Sequence, residues 1–174
     1  MKKKYFAHAT ADISVKALIG DNSKIWHHSH IREGVKIGKN CIIGRNVYVD
    51  FSVNIGNKCK IQNNCSIYHG TNIEDGVFIG PHVVFTNDKN PRAINKNGQL
   101  KTDEDWSVGK IVVKTGASIG ANSVVLPNVT IGSFALVGAG SVVTKNVPDF
   151  ALVYGNPAKI KGYVNKKGYP VKYK

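Results

Sequence analysis

Large apolar residues recur at every sixth position along most of the chain. The series begins at Ile13 and reaches Phe85 without a break, then resumes at Val113 and ends at Val143. A period of six does not fit an amphipathic α-helix, whose apolar positions recur near every 3.6 residues. Small or β-branched residues stand four positions after these anchors, and glycine often follows an anchor directly. The small set reads Ala17, Ser23, Ser29, Val35, Cys41, Val47, Val53, Cys59, Cys65, Thr71, Val77 and Val83, then Ala117, Ser123, Val129, Ala135, Ser141 and Val147.

The six-residue period predicts short parallel strands that stack in coils. Alternate side chains of a strand face the same side, so an anchor and its small neighbour can both point inward. Three hexads make a triangular coil of about 18 residues, and coils stack through ladder hydrogen bonds at about 4.8 Å. We expect glycine to supply backbone freedom at the corners and asparagine to adopt positive φ there. The asparagines that fit this use are Asn22, Asn40, Asn46, Asn57 and Asn64.

The succession of a large apolar residue, a glycine and a small residue resembles the left-handed parallel β-helix of hexapeptide-repeat proteins over residues 13 to about 148. The resemblance implies an all-β domain over residues 1–159 and supplies the left-handed sense, which opposes the usual right-handed crossover preference. Between Phe85 and Val113 the chain is far longer than one hexad, so the excess should leave the helix as an external loop at about 86–110. Residues 160–174 form a short basic C-terminal tail that could cap the open end.

Composition and charge narrow the setting of the protein. The 174 residues carry a formal net charge of +13 at pH 7, which favours phosphate-bearing ligands or a solvated lysine-rich surface. Nucleic acid is not expected as a partner, because no motif interleaves the basic residues with aromatic ones. No apolar run approaches the roughly 20 residues of a membrane span, and no signal-peptide pattern follows Met1. We therefore expect a cytoplasmic protein without membrane contact.

The three cysteines, Cys41, Cys59 and Cys65, all fall on small positions of the repeat. An odd number without a secretion signal argues against a disulfide framework, and their spacing fits no zinc motif. Buried structural thiols are therefore expected.

A histidine cluster beside Trp26 is the most conspicuous candidate for metal ligation. It contains His27, His28 and His30. His28 shares a column with His82, but three coils, about 14 Å, separate the two. We therefore expect no metal site within one chain.

Five segments carry a more specific resemblance than the repeat itself. Residues 60–68, 74–81, 84–88 and 91–93 are similar to the nucleotide-sugar 3-N-acetyltransferases used for surface polysaccharide precursors. Residues 146–159, which end in Gly-Asn-Pro-Ala-Lys, resemble the closing segment of hexapeptide acyltransferases. The resemblance implies transfer of an acyl group, expected to be acetyl, from coenzyme A to the amino group, expected at C3, of a UDP- or dTDP-linked amino sugar.

The resemblance also implies catalytic and substrate-binding residues near the start of the loop. Asn87 aligns with the loop asparagine that orients the sugar amine, and His69, one coil earlier, is a candidate general base. His82 is a second candidate base, and the departing coenzyme thiolate is an alternative proton acceptor. The substrate-binding candidates are Tyr68, Asp88 and Arg92. An arginine can bind a diphosphate through its fork of donors, and a tyrosine can pack on the sugar or base, although both could equally be surface residues.

The coenzyme positions follow from the same resemblance. In the family, coenzyme A lies in a groove between two subunits of a trimer, and backbone groups of late coils bind its pantetheine arm. The matching positions are Ala121, Ala139, Asn156, Pro157 and Lys159. The alanines could equally be small residues at β-helix corners. We expect a homotrimer that uses acetyl-CoA as co-substrate and needs no metal.

Two other functions stay open on the sequence. Hexads alone also occur in serine, maltose and galactoside O-acetyltransferases and in γ-class carbonic anhydrases. An O-acetyltransferase acting on a small hydroxyl substrate would depend more strongly on a histidine base, and a non-catalytic β-helix scaffold would bind no coenzyme A. A scaffold has little use for a long loop beside a polar corner. The UDP or dTDP carrier, the sugar and the length of the acyl group also stay open.

Overall fold

The computed structural model describes residues 4–172, and short strands make up nearly all of its regular structure. The strands are β1 (Phe6–Ala7), β2 (Asp12–Ile13), β3 (Leu18–Ile19), β4 (Lys24–Ile25), β5 (His30–Ile31), β6 (Lys36–Ile37), β7 (Ile42–Ile43), β8 (Tyr48–Val49), β9 (Asn54–Ile55), β10 (Lys60–Ile61), β11 (Ser66–Ile67), β12 (Thr71–Ile73), β13 (Phe78–Ile79), β14 (Val84–Phe85), β15 (Ile111–Val113), β16 (Ser118–Ile119), β17 (Val124–Val125), β18 (Val129–Ile131), β19 (Leu136–Val137), β20 (Val142–Val143), β21 (Ala151–Tyr154), β22 (Lys159–Val164) and β23 (Pro170–Val171). A 3₁₀-helix lies at Asp103–Asp105. Over these residues no helix is long and apolar enough to cross a membrane.

Three sheets form the three faces of a solenoid. Sheet A has the order β1-β4-β7-β10-β13-β16-β19-β21-β22-β23, sheet B the order β2-β5-β8-β11-β14-β17-β20, and sheet C the order β18-β15-β12-β9-β6-β3. Most strands pair in parallel with the third strand before and after them, so that Lys60 lies between Ile42 and Phe78. Each such step is one coil of three hexads. The predicted all-β solenoid of hexapeptide coils is thereby confirmed, and its coils are consistent with the left-handed parallel β-helix.

The core fills the interior of the solenoid. Anchors such as Ile43 are fully buried, and so are most of the small residues that face them. Hydroxyls and thiols on the small positions still find acceptors: Ser29 Oγ lies 2.6 Å from Gly44 O, and Cys41 Sγ lies 3.0 Å from Gly56 O. These bonds matter because an unpaired polar group in a core is costly. All three cysteines are free and buried, as expected.

The external loop leaves and re-enters the solenoid at one point. Thr71 in β12 pairs with Ile111 in β15, so this coil contains the inserted segment in addition to its three hexads. The carbonyl of Asn87 accepts a hydrogen bond from the Gly109 N–H at 2.8 Å and closes the neck of the loop. The predicted position and length of the loop are confirmed.

The last coil is shorter and continues into an antiparallel extension. Leu136 pairs with Leu152, which is fewer residues away than the third hexad would place it. Strands β22 and β23 then add to β21 in antiparallel fashion, so the C-terminal segment extends sheet A. The predicted boundary between residues 159 and 160 falls inside β22.

Of two expectations about the corners, the one for asparagine is confirmed at four of five positions and the one for glycine is wrong. Four of the five predicted asparagines have positive φ, but Asn57 does not, because Lys58 takes that conformation. The Asn57 side chain instead accepts the Lys39 N–H at 2.9 Å. The glycines that follow anchors do not have positive φ either. They permit close stacking, since a Cβ on Gly20 would lie 2.6 Å from the carbonyl carbon of Gly38 in the next coil.

Candidate active site

The predicted site residues lie on two edges of the solenoid. We call edge A the corner that follows the sheet A strands β4, β7, β10, β13, β16 and β19, and edge B the corner that follows the sheet B strands β5, β8, β11, β14 and β17. His69 and Asn87 lie on edge B, each two residues after an anchor, and these anchors, Ile67 and Phe85, are paired. This register separates the two residues by one coil, about 4.8 Å along the axis.

The neck of the loop packs over the coil that carries His69. Gly70 has a φ of +91°, and a Cβ there would lie 2.7 Å from Gly109 O and 2.8 Å from Val108 Cγ1. The Gly70 carbonyl also accepts the N–H of Ile111, at 3.0 Å. Position 70 therefore requires glycine, and His69 lies where the loop meets the solenoid.

The imidazole of His69 is held by the coil beneath it. Its Nδ1 lies 3.0 Å from Phe51 O, and its ring stacks on the Phe51 ring with centroids 4.0 Å apart and planes 12° from parallel. A carbonyl oxygen can only accept, so Nδ1 must carry the hydrogen of this bond. In the neutral ring the lone pair of Nε2 is then left to accept a proton.

Asp50 is a candidate functional residue that the sequence patterns did not single out. Its side chain is 8% exposed and accepts hydrogen bonds from the Arg32 guanidinium, the Tyr48 hydroxyl, and the backbone N–H groups of Phe51 and His69. Burial alone would raise the pKa of the Asp50 carboxyl, but these hydrogen bonds hold the pKa below its ordinary value. One signal was available: Arg32 and Asp50 each follow an anchor directly and stand one coil apart.

His82 lies on edge A, and its ring already accepts a hydrogen bond. Asn46 Nδ2 donates to Asn64 Oδ1 at 3.1 Å, which leaves Asn64 Nδ2 to donate to His82 Nε2 at 3.2 Å. This bond uses the Nε2 lone pair of His82. The Nε2 lone pair of His69 is available. The geometry therefore favours His69 over His82 as a proton acceptor.

A small cavity, open to solvent, lies at the base of the loop. Its volume is about 200 Å³, and it is lined by Asn87, Asp88, Arg92, Lys101 and Trp106. Asp88 accepts the Asn90 N–H at 2.8 Å, and Arg92 Nη1 donates to Pro91 O at 2.8 Å. Tyr68 lies outside this lining and packs edge-on against Tyr48, with ring centroids 5.7 Å apart. The loop thus brings Asn87, Asp88 and Arg92 together but not Tyr68.

The predicted coenzyme residues gather at the C-terminal end of edge A. The pairing of Leu136 with Leu152 places the turn at 155–158 in the coil after Ala139. This turn contains Asn156 and the cis-peptide-bonded Pro157, and Lys159 begins the next strand. The turn is bonded back to β20 through the Ala158 N–H and Val142 O, 2.8 Å apart.

Several backbone N–H groups at the corner of edge A have no acceptor within residues 4–172, and those of Ala121 and Ala139 are among them. Nearer the N-terminal end of this edge, which we call its lower end, the Arg45 N–H donates to Asn63 Oδ1 of the next coil, at 3.0 Å. The N–H groups of Ala121 and Ala139 occupy the same corner position, and within residues 4–172 no group accepts from them. In the next coil Ala139 lies above Ala121 and Gly155 lies above Ala139, and neither residue carries a side-chain acceptor.

The histidines near Trp26 do not converge on a point, because His27 stacks on His8 whereas His30 packs against Tyr48. The rings of His8 and His27 lie 3.5 Å apart and are stacked, and those of His27 and His28 lie 6.4 Å apart. In the described part of the chain, no three His, Cys, Asp or Glu side chains are grouped so that they could hold a metal ion.

A repeat profile of bacterial hexapeptide transferases matches most of the solenoid, at residues 16–50, 52–87 and 110–145. The chain belongs to the bacterial transferase hexapeptide family. Residues 34–69 also match the hexapeptide repeat of succinyl-transferase.

Three proteins are similar to this chain in sequence or in fold. A 58-residue stretch is 66% identical to a dTDP-3-amino-3,6-dideoxy-α-D-galactopyranose 3-N-acetyltransferase of Aneurinibacillus thermoaerophilus, covering 33% of this chain and 30% of that protein. A mutant of AntD, an N-acyltransferase from Bacillus cereus in complex with dTDP and coenzyme A, superposes with a TM-score of 0.69 at 24% identity over 94% of this chain and 85% of that one. The acetyltransferase VCA0836 of Vibrio cholerae, complexed with acetyl coenzyme A, has a TM-score of 0.55 at 26% identity over 76% and 72% of the two chains. The matches span less than two thirds of the length of the curated relatives.

The hexapeptide fold separates the predicted site residues into two groups. His69, Asn87 and the loop cavity lie on edge B, whereas Ala121 and Ala139 lie on edge A. The corners of a three-sided solenoid point away from one another, so one chain cannot bring its own two edges face to face. A site that uses both groups requires a second copy of the chain.

Proposed function

We propose that this chain is an acetyl-CoA-dependent N-acetyltransferase that modifies the amino group, at C3, of a UDP- or dTDP-linked amino sugar. The observation that carries this proposal is the 66% identity over 58 residues with a dTDP-3-amino-sugar 3-N-acetyltransferase. The hexad repeat fixes only the inward positions, so identity at this level extends to residues that the fold does not dictate. The V. cholerae relative bound to acetyl coenzyme A supports the choice of acyl donor.

The proposed reaction joins a neutral sugar amine to the carbonyl carbon of the acetyl thioester. The amine nitrogen forms the new C–N bond, the C–S bond breaks, and its electron pair leaves with the coenzyme sulfur. The proton released by the nitrogen passes to His69 Nε2 or to the departing thiolate. Asn87 accepts an N–H of the amine through its side-chain oxygen and so leaves the nitrogen lone pair directed at the carbonyl. Such positioning can supply a large part of the rate.

The proposed coenzyme site uses the unpaired donors on edge A. The N–H groups of Ala121 and Ala139 would bond carbonyl groups of the pantetheine arm, which satisfies two donors that the protein leaves free. The exposed Lys159 follows the turn above them and offers a cation to a coenzyme phosphate. Asn156 and Pro157 form the wall of the same turn.

We expect the active species to be a homotrimer. Edge B of one subunit would face edge A of the next, and closed symmetry would complete all three sites alike. Sedimentation velocity should give a single species with three times the mass of the chain. A catalytically competent monomer would contradict this expectation.

A substrate panel tests the proposed activity. UDP- and dTDP-linked 3-amino and 4-amino sugars are each mixed with acetyl-CoA, and thiol release is measured beside the matching sugars that carry a hydroxyl in place of the amine. We expect release only with amino sugars, and fastest with a 3-amino sugar. Release with the hydroxyl sugars alone would indicate an O-acetyltransferase, and absence of coenzyme A binding would indicate a scaffold.

A further inference from the structure

The lowest coils of edge A carry an exposed aromatic and cationic surface that the proposed chemistry does not use. Trp26, His27, Arg45 and Asn63 line a cavity of about 300 Å³, and a second cavity of about 390 Å³ lies on the other side of His27 and Arg45. Trp26 is 37% exposed, and Phe6 packs against it with ring centroids 5.4 Å apart. The planes of Trp26 and His27 are within 6° of parallel. The surface therefore offers flat, supported rings beside a guanidinium.

The charge of this surface has one sign. The second cavity is lined by His27, His28, Arg45 and Asn46, so no carboxylate lines either cavity. Partial desolvation, together with repulsion from His8, His28 and Arg45, lowers the pKa of His27. Arg45 is the permanent cation that lines both cavities, so an anion bound there would meet a positive charge and no competing carboxylate.

The polar groups of the surface are available to a ligand. In the described part of the chain the Arg45 guanidinium has no ion pair or hydrogen bond, so its five donors are free. Asn63 Oδ1 accepts the Arg45 N–H at 3.0 Å, which leaves the Asn63 Nδ2 donors unused. An arginine fork beside an amide donor suits the oxygens of a diphosphate.

We propose that Trp26, Arg45 and Asn63 bind the nucleoside diphosphate end of the sugar acceptor, with the base stacked on Trp26 and the phosphates held by Arg45 and Asn63. This inference rests on the proposed function. Stacking of a base on an aromatic side chain contributes substantial binding in other nucleotide sites.

The height of this surface along the solenoid agrees with the rest of the proposed site. Arg45 follows β7 and Ala121 follows β16, three ladder steps or about 14 Å higher on the same edge. His69 and Asn87 follow β11 and β14, which lie between these levels. In a trimer whose axis runs parallel to the solenoid, heights are shared by all subunits. The nucleotide would then bind below the amine, and the thioester would bind above it.

The nucleotide end of coenzyme A is the other possible ligand of this surface, because it also combines a base with phosphates. The residues assigned to the coenzyme occupy the opposite end of edge A, from Ala121 to Lys159. We therefore assign the lower surface to the acceptor, and competition between the two ligands tests this assignment.

Binding is measured first, with UDP and dTDP as probes. The chain has two tryptophans, so Trp106→Phe leaves Trp26 as its single indole, and either nucleotide should quench its fluorescence. In calorimetry on protein that keeps Trp106, Arg45→Gln should raise the Kd for UDP or dTDP about tenfold or more, as for loss of a charged hydrogen bond. The matched control is Lys39→Gln, which removes an exposed cation at the equivalent corner position of another edge and should leave Kd within about twofold, as for a charge outside the site. Quenching by adenosine 3′,5′-bisphosphate that Arg45→Gln abolishes, or displacement of UDP and dTDP by coenzyme A, would overturn the assignment.

Steady-state kinetics separates failure of this inference from failure of the proposed function. With the best amino-sugar substrate, Arg45→Gln and Trp26→Ala should raise KM for the sugar nucleotide about tenfold while KM for acetyl-CoA stays unchanged. Unchanged KM in both variants of an active enzyme would overturn the inference alone. If UDP or dTDP binds in an Arg45-dependent manner but no amino sugar is acetylated, the proposed function fails and the nucleotide site stands.

Discussion

Replacement of Asn87 by alanine is expected to lower kcat/KM for the best amino-sugar substrate about 100-fold, more than replacement of any single histidine. The substitution removes the amide oxygen proposed to orient the amine. It keeps the backbone carbonyl that bonds the Gly109 N–H, so the neck of the loop stays closed. The loss should therefore report on positioning of the reactants and not on folding of the loop.

The matched control is Asn97→Ala, which removes an exposed asparagine side chain from the same loop. Its kcat/KM should stay within about threefold of wild type, far below the loss expected when positioning fails. If Asn87→Ala also stays within that range, the assignment of Asn87 is wrong. His69→Ala and His82→Ala complete the comparison, because a general base usually contributes about 10² to 10⁴-fold. If His69→Ala falls furthest, a histidine base carries the chemistry and the thiolate is not the proton acceptor.

The fold could be predicted almost entirely, because each hexad supplies one strand and three hexads make one coil. Anchors such as Ile43 and Ile61 must face inward in every coil, so their spacing determines the register of the strands. A break in that spacing locates the inserted loop. The reason for glycine at positions such as Gly20 could not be predicted, because it depends on the distance between stacked coils. The period marks a corner position, but it does not show whether glycine is needed there for positive φ or for lack of space beside the next coil.

The candidate site could be predicted only in part, because its bonds join residues of different coils. The sequence placed His69 and Asn87 one coil apart, and the pairing of their anchors has that register. It could not show that Phe51 O fixes the Nδ1 hydrogen of His69, or that Asn64 already bonds His82. Those contacts depend on side-chain rotamers in neighbouring coils, and they alone rank the two histidines.

Replacement of Asp50 by alanine is expected to destabilise the protein by about 3 kcal/mol, because it leaves a buried cluster of donors without its acceptor. The Asp50 side chain is 8% exposed, and it accepts from Arg32, Tyr48 and two backbone N–H groups. The lower end of the range for a broken buried ion pair applies because the Arg32 side chain is 35% exposed and can reach water. For a chain of this length the melting temperature should fall by about 6–12 °C.

The matched control for this prediction is Asp75→Ala, which removes an exposed carboxylate instead of a buried one. Asp75 is exposed and accepts hydrogen bonds from the backbone and side-chain nitrogens of Asn57, so water can replace what the substitution removes and a smaller fall in melting temperature is expected. If Asp50→Ala melts no lower than Asp75→Ala, the Asp50 bonds do not stabilise the fold.

The acid dependence of the Asp50→Ala effect provides a second test, with a sign fixed by linkage. Because the pKa of Asp50 is lower in the folded chain than its unfolded value of about 3.9, its contribution is complete above that value. The contribution is lost as the pH falls through the folded pKa, where the carboxylate takes up a proton and stops attracting Arg32. The difference in melting temperature between wild type and Asp50→Ala should therefore be constant near neutral pH and shrink below about pH 3.9. A difference that persists unchanged at acid pH would show that Asp50 stabilises the chain by packing, since packing does not depend on its charge.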